Sequence, residues 1–208
     1  MKGDVLDRMA VREMVENWVV YRDGLMWDRF RTLWHPDGKM VATWFHGTVD
    51  EFIKVTKEGY DRGVRIFHYL HGCSVEIKGN RAIAQTKSTI SQRAVVEGVE
   101  CDVTCDGRLY DFLEKRKGKW GFVLCRRIYE KDRIDPVDPS ATLKLDKKLL
   151  DRFEIGFRHL GYLQSKIGYK IPKTMPGLDN PDVKALYAMG ADWLKGKKLP
   201  KAWAGVTH

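Results

Sequence analysis

The sequence predicts an α+β fold in which three N-terminal helices pack inside a curved, mostly antiparallel sheet that encloses a cone-shaped pocket. Three observations carry that expectation. Apolar residues recur at helical spacing up to about Arg62. From Val64 they alternate instead, along runs separated by turn dipeptides. Beyond a break at Asp135, Pro136, Asp138, Pro139 and Ser140 the helical spacing returns, which predicts a helical C-terminal extension. The chain of 208 residues is therefore read as a cone domain over 1–134 and an extension over 135–208.

Leu6, Met9, Ala10, Met14, Trp18 and Tyr21 fall on one helical face, so the first helix spans Val5 to Tyr21, and Gly24 interrupts it. A short second helix follows through Trp27, Phe30, Leu33 and Trp34, and Pro36-Asp37-Gly38 stops it. Met40 to Phe45 reads as a brief strand. Thr48 with Glu51 has the form of a capping box, which starts a third helix at Val49 and carries it to about Arg62. Val64–Ile77, Ala82–Val96, Val99–Leu113 and Trp120–Glu130 read as a meander, turned at Gly79-Asn80, Gly98 and Gly118-Lys119. In the extension, Leu145 to Leu163 forms one apolar helical stripe, a Pro-rich loop follows, and a last helix carries Val183, Leu186, Tyr187 and Trp193 to Gly196. That stripe must cover either the cavity mouth, as a lid, or a neighbouring subunit.

Composition narrows the function classes. A hydrophobic fraction of 43% with 31% charged residues suits a soluble globular protein. No apolar run approaches the ~18 residues that span a bilayer, and the N-terminus lacks a signal-peptide pattern, so no membrane role is expected and the cytoplasm is the expected compartment. The net charge of +9 is interleaved with apolar residues and forms no basic block, which argues against nucleic acid. Cys73, Cys101, Cys105 and Cys125 fit neither a disulfide framework nor a metal site. No phosphate-binding glycine loop is present, so neither cofactor nor metal is expected.

Three polar residues stand out in an aromatic-rich setting: Asp23 after an apolar helix, His68 before a strand and Arg127 within the last strand. A carboxylate, an imidazole and a guanidinium around an apolar cavity can move protons without a cofactor. Trp18, Trp27, Trp34, Trp44, Phe45 and Phe67 would supply flat walls for a ring-bearing substrate. Alternatives stay open at each position. Asp23 could cap the second helix. His68 and His71 point to opposite faces of a strand, as do Arg126 and Arg127, and alternation alone does not choose between them. His35 and His46 read as exposed turn residues. Tyr162, Tyr169 and Tyr187 of the extension are candidates to reach the site.

The stretches Asp23-Gly-Leu-Met-Trp27-Asp28-Arg29, Leu33-Trp34-His35-Pro36, His68-Tyr-Leu-His71 and Gly118-Lys119-Trp120 leading to Arg127-Ile-Tyr-Glu130 resemble the SnoaL-like branch of the NTF2-like superfamily, in particular its bile acid 7α-dehydratase and scytalone dehydratase members. The resemblance covers about residues 4 to 134. It implies a cone, often trimeric, with Asp23 and His68 as the catalytic pair and Arg127 as the group that polarises a substrate oxygen. It also favours His68 over His71. The chain departs from the pattern at Trp18, where the bile acid enzyme has Tyr, and at Ser91, where scytalone dehydratase has a second His.

These readings predict a cofactor-independent lyase, dehydratase-like or retro-aldol, acting on a hydrophobic cyclic or aromatic hydroxylated molecule. The catalytic set is Asp23, His68 and Arg127. The substrate-binding set is Trp18, Tyr21, Trp27, Trp44, Phe67, His71, Ser91 and Tyr110. An isomerase or polyketide cyclase would use the same site, and a non-catalytic binding or assembly module is the alternative from another class. A homo-oligomer, with a trimer favoured, is the expected assembly.

Overall fold

Tight turns set the sheet. In the computed structural model, which describes residues 2–200, β3 (Arg65–Lys78), β4 (Arg81–Val96), β5 (Val99–Arg116) and β6 (Lys119–Pro136) form an antiparallel meander joined by two-residue turns. Glu97-Gly98 and Lys117-Gly118 both sit at positive φ, the geometry that matches the twist of the flanking strands. β1 (Trp34–Val41) then runs parallel to β6 and pairs with β2 (His46–Thr48), which gives the order β2-β1-β6-β5-β4-β3.

Two sets of helices cover the concave face of this sheet. α1 (Lys2–Asp23), α2 (Trp27–Thr32) and α3 (Val49–Asp61) fill one half through Val15, Trp18, Phe30 and Phe52, packed on Leu109, Leu113 and Phe122. The other half, around Ile90, Val103, Cys105 and Tyr129, is covered by the extension through Phe153, Phe157, Leu160 and Leu163. The last helix, α6 (Pro181–Leu194), lies on the convex face and buries Val183, Leu186 and Trp193 against Tyr110, Phe112 and Ile128. The extension thus packs on both faces of the sheet. Among the described residues no helix is long and apolar enough to cross a membrane, and no group of three or more His, Cys, Asp or Glu could hold a metal ion.

The Thr48–Glu51 capping box is present in both directions and starts α3 at Val49. Two segments depart from the sequence reading. α2 ends at Thr32, and the expected stop signal Pro36-Asp37-Gly38 lies inside β1 as an irregularity between Trp34 and Lys39. Asp37 is tied to Arg116, and His35 is buried with its Nε2 2.8 Å from the Glu114 carbonyl, so His35 is not the exposed turn residue expected. The strand expected over Met40–Phe45 is instead the end of β1 and a tight turn closed by Ala42 N–H to the Phe45 carbonyl.

The single stripe Leu145–Leu163 is broken into α4 (Lys147–Leu150), a 3₁₀ turn (Ile155–Phe157) and α5 (Arg158–Lys166). A contact distant in sequence causes the break. The carboxylate of Asp132 on β6 accepts the N–H groups of His159 (2.6 Å) and Leu160 (2.9 Å) and starts α5 there. Gly156 passes so close to β6 that a Cβ would lie 2.4 Å from the Tyr129 carbonyl oxygen.

Candidate active site

α1 ends on Asp23 because the chain turns at Gly24 and Leu25, the latter at φ 58°. A carboxylate at a helix C-terminus meets the negative end of the helix dipole and needs compensation. It has three donors. Arg22 donates from Nη1 to Oδ1 at 2.9 Å, the backbone N–H of His68 donates to Oδ2 at 2.6 Å, and the His68 ring places Nδ1 3.0 Å from Oδ1. Burial raises the Asp23 pKa, but the hydrogen bond from His68, its charge and that of Arg22 outweigh this and hold the carboxyl below its ordinary value. An ionised Asp23 accepts from Nδ1–H, so Nε2 of the neutral ring is the free basic nitrogen.

The remainder of His68 faces the inside of the cone. Trp18 stands edge-on to it with ring centroids 5.3 Å apart. Burial lowers its pKa to about 4; Asp23 opposes that shift, and the charges of Arg22 and Arg127 add to it. Arg22 also donates to the Ile66 carbonyl at 2.6 Å, which ties the end of α1 to β3.

Arg127 enters from β6. It is 3% exposed, and its Nη1 and Nη2 donate to the Ser88 hydroxyl (2.9 Å), the Ser88 carbonyl (3.1 Å) and the Cys105 carbonyl (3.2 Å). Its Nε has no partner, and among the described residues no carboxylate pairs with it. A buried guanidinium held by neutral groups keeps its charge for a ligand.

Arg22, His68 and Arg127 line one cavity of about 30 Å³, walled by Trp18, Trp44, Phe52 and Leu109, while Asp23 borders the space next to it. A polar rim closes its far side: the Thr43 N–H donates to the Tyr129 hydroxyl at 3.1 Å, and the Thr43 hydroxyl to Gln164 of α5 at 2.6 Å. Burial keeps Tyr129 protonated, its pKa raised to about 12. A second space adjoins the cavity across Arg22, Trp44 and Ile66, and is bounded by Tyr60, Phe67 and Tyr169. Tyr169 leans on Trp44 with centroids 5.2 Å apart.

The structure brings together Asp23, His68, Arg127, Trp18 and Trp44, with Phe67 half-exposed at the outer space. Other expected contacts are not made. His71 points away from the cavity and bonds Thr89 at 3.2 Å, because alternation puts it opposite His68. Ser91 is paired with Phe67 on β3 and lies on the outer face, while Ser88 is the serine that meets Arg127. Tyr110 faces the convex side and packs on Tyr187. Trp27 packs on Phe30, and Tyr21 lies beside Arg29, so neither lines the cavity. Of the three candidate tyrosines of the extension, Tyr169 alone approaches the site. Tyr162 bonds Glu97, and Tyr187 meets Arg108 and Gln85 on the outer face. The sequence reading missed Arg22, Thr43, Ser88, Tyr129 and Gln164. For Ser88 and Tyr129 a signal existed: each keeps the alternation phase of a cavity residue on its own strand, Ile90 for Ser88 and Arg127 for Tyr129.

The fold and site define an α+β cone with a buried Asp–His pair beside a largely apolar cavity. The chain belongs to the SnoaL-like domain family, whose model matches residues 3–126. It is similar to pea pathogenicity protein 2 of Fusarium vanettenii, 36% identical over 208 residues, covering 93% of this chain and 88% of that one. It is also 37% identical over 212 residues to an uncharacterized protein of Emericella nidulans, covering 94% and 89% of the two chains. Among solved structures it is similar to a candidate scytalone dehydratase of Novosphingobium aromaticivorans (TM-score 0.54, 17% identity, 69% of this chain and all of that one). The hexachlorocyclohexane dehydrochlorinase of Novosphingobium barchaimii is comparable (TM-score 0.54, 13% identity, 68% and 97%). At such identities the likeness shows the cone fold.

Proposed function

We propose that the protein is a cofactor-independent lyase that eliminates water, or a small carbonyl fragment, from a hydrophobic cyclic or aromatic hydroxylated molecule. One observation carries this reading: His68 is bonded through Nδ1 to Asp23 and lines, with the unpaired cation Arg127, a cavity that is otherwise largely apolar. Nε2 of His68 takes a proton from carbon next to a carbonyl or a conjugated phenol. Asp23 holds the tautomer and balances the imidazolium formed, and Arg127 stabilises the negative charge that develops on the substrate oxygen. In dehydration the protonated His68 then gives the same proton to the departing hydroxyl, which leaves as water and returns the ring to neutral; in the retro-aldol variant Nε2 instead takes the hydroxyl proton, the carbon–carbon bond breaks as the new carbonyl forms, and the proton goes to the enolate carbon left behind. Elimination is also the chemistry named for the two solved structures above, which supports the reading without fixing a substrate.

The test is a panel of ring-bearing β-hydroxy ketones followed by NMR in deuterated water, which detects both elimination and solvent exchange at the carbon. His68→Gln and Asp23→Asn are expected to lower turnover by ~100-fold or more, the usual scale for a lost acid–base group; His68→Gln should leave the melting temperature little changed, while Asp23→Asn should lower it, since it leaves the buried Arg22 without its carboxylate. Exchange without elimination would move the assignment to an isomerase or cyclase. Saturable binding with neither exchange nor elimination would replace it with a binding module.

A further inference from the structure

β6 presents a second buried guanidinium on its other face. Arg126, next to Arg127 and pointing to the convex side, is 3% exposed. Its Nε is buried without a partner, and among the described residues it makes no hydrogen bond or ion pair. Burial lowers its pKa, and the nearby Tyr129 and Asp182 work against that. A guanidinium stays protonated under such conditions, so the positive charge is held there with no direct partner among the described residues. Asp182, in the first turn of α6, has a second orphan: its Oδ2 is buried with no hydrogen-bond partner. Arg126 and Asp182 thus border one space without satisfying each other's buried donor and acceptor, an arrangement that burial penalises heavily unless a third group completes it.

That space is a pocket of about 320 Å³ between α6 and the segment after it, roughly ten times the cavity at His68. Leu186 and Met189 form an apolar wall, and Lys197 and Lys198 stand at the rim. Lys197 is engaged by Asp192 at 2.9 Å. The planar fork of an arginine matches a carboxylate, the apolar wall matches a short hydrocarbon body, and the Asp182 oxygen calls for a hydroxyl donor. We propose that this pocket is a binding site for a small organic acid, separate from the His68 cavity. The carboxylate sits on Arg126, the hydrocarbon body lies on Leu186 and Met189, and a 2-hydroxyl donates to Asp182.

The test uses the full chain and three six-carbon probes: hexanoate, 2-hydroxyhexanoate and hexan-1-ol. Titration calorimetry, together with the methyl resonance of Met189, reads affinity and place. The acids are expected to bind saturably and to shift the Met189 methyl, with 2-hydroxyhexanoate the tighter and hexan-1-ol at least roughly tenfold weaker than either, the scale of one charged hydrogen bond. Arg126→Met should cost the same factor for the acids while leaving the melting temperature equal or higher, since it removes an unpaired buried charge. His68→Gln should leave acid binding unchanged, which separates this site from the proposed active site. Equal affinity for hexanoate and hexan-1-ol overturns the proposal. So does an unmoved Met189 methyl in the wild-type chain, a result that does not depend on any variant folding.

Discussion

Protonating His68 in the folded chain would place a positive charge in a buried space that Arg22 and Arg127 already make positive, and this is what sets its acid behaviour. Its pKa of about 4 lies below the ordinary 6.5, so the stability from the neutral ring is complete above about pH 6.5 and is lost as pH falls towards 4. Asp111 acts in the opposite sense. Burial raises its carboxyl from 3.8 to about 7, against a hydrogen bond from Cys125 and the charge of Arg127, and its Oδ1 has no partner. The stability from the protonated carboxyl is complete below about 3.8 and is lost as pH rises through 7. Between about pH 4 and 6.5 the two groups oppose each other, so the wild-type chain should show a shallow pH profile there. Denaturant unfolding at pH 4.5 and 8 separates them. Asp111→Asn should gain on the order of a few kcal/mol at pH 8 and little at pH 4.5, and His68→Gln should flatten the acid side. A gain from Asp111→Asn of equal size at both pH values would refute this account.

At the scale of elements, which face β6 shows to the cavity depends on two irregularities in its pairing with β5, between Asp106 and Gly107 and between Phe112 and Leu113. These shift the alternation so that Phe122, Cys125 and Arg127 face inward, while Leu124 and Arg126 face outward. At Gly107 a Cβ would lie 2.0 Å from the Ile128 carbonyl oxygen, a backbone atom that cannot step aside. Gly107→Ala should therefore cost about 3 kcal/mol or more, or prevent folding, while Thr48→Ala at the α3 cap should cost about 1 kcal/mol. Urea unfolding of the two variants checks that order, and a Gly107→Ala protein as stable as the Thr48→Ala one would show that the pairing can slide. The same irregularities mark the limit of what the sequence discloses. The meander, α1, α3 with its cap, and the pair Asp23 and His68 were legible, because period, turn dipeptides and capping residues act locally. Ser88 and Tyr129 were within reach of strict alternation. The break after α4, the burial of His35 and the convex placement of Tyr110 were not, because each is set by a contact distant in sequence: Asp132 with α5, His35 with Glu114, and α6 against the sheet.

Across the whole molecule, the His68 cavity lies at the seam between the two helical sets on the concave face, α1–α3 on one side and the extension on the other. At about 30 Å³ it holds little more than water, whereas a space of roughly 150 Å³ is needed to accept a benzene ring. A ring-bearing ligand therefore requires the seam to open, and the geometry indicates where. The inner cavity and the outer space are divided by Arg22, Trp44 and Ile66. Arg22 is fixed by Asp23 and the Ile66 carbonyl, and Ile66 belongs to a paired strand. Trp44 is held by ring packing alone: it sits in the turn between β1 and β2, lies on Phe45 and Phe52, and is backed on the outer side by Tyr169, which follows α5. Removing that backing should speed entry. Stopped-flow quenching of tryptophan fluorescence by 1-naphthol is expected to show association several-fold faster in Tyr169→Ala than in the wild-type chain, on the scale of removing one aromatic contact. Tyr187→Ala, which removes a tyrosine of the convex face, should leave the rate unchanged. If both variants matched the wild-type rate, entry would have to run through the Thr43–Gln164 rim instead, and the extension would be a fixed wall of the cavity.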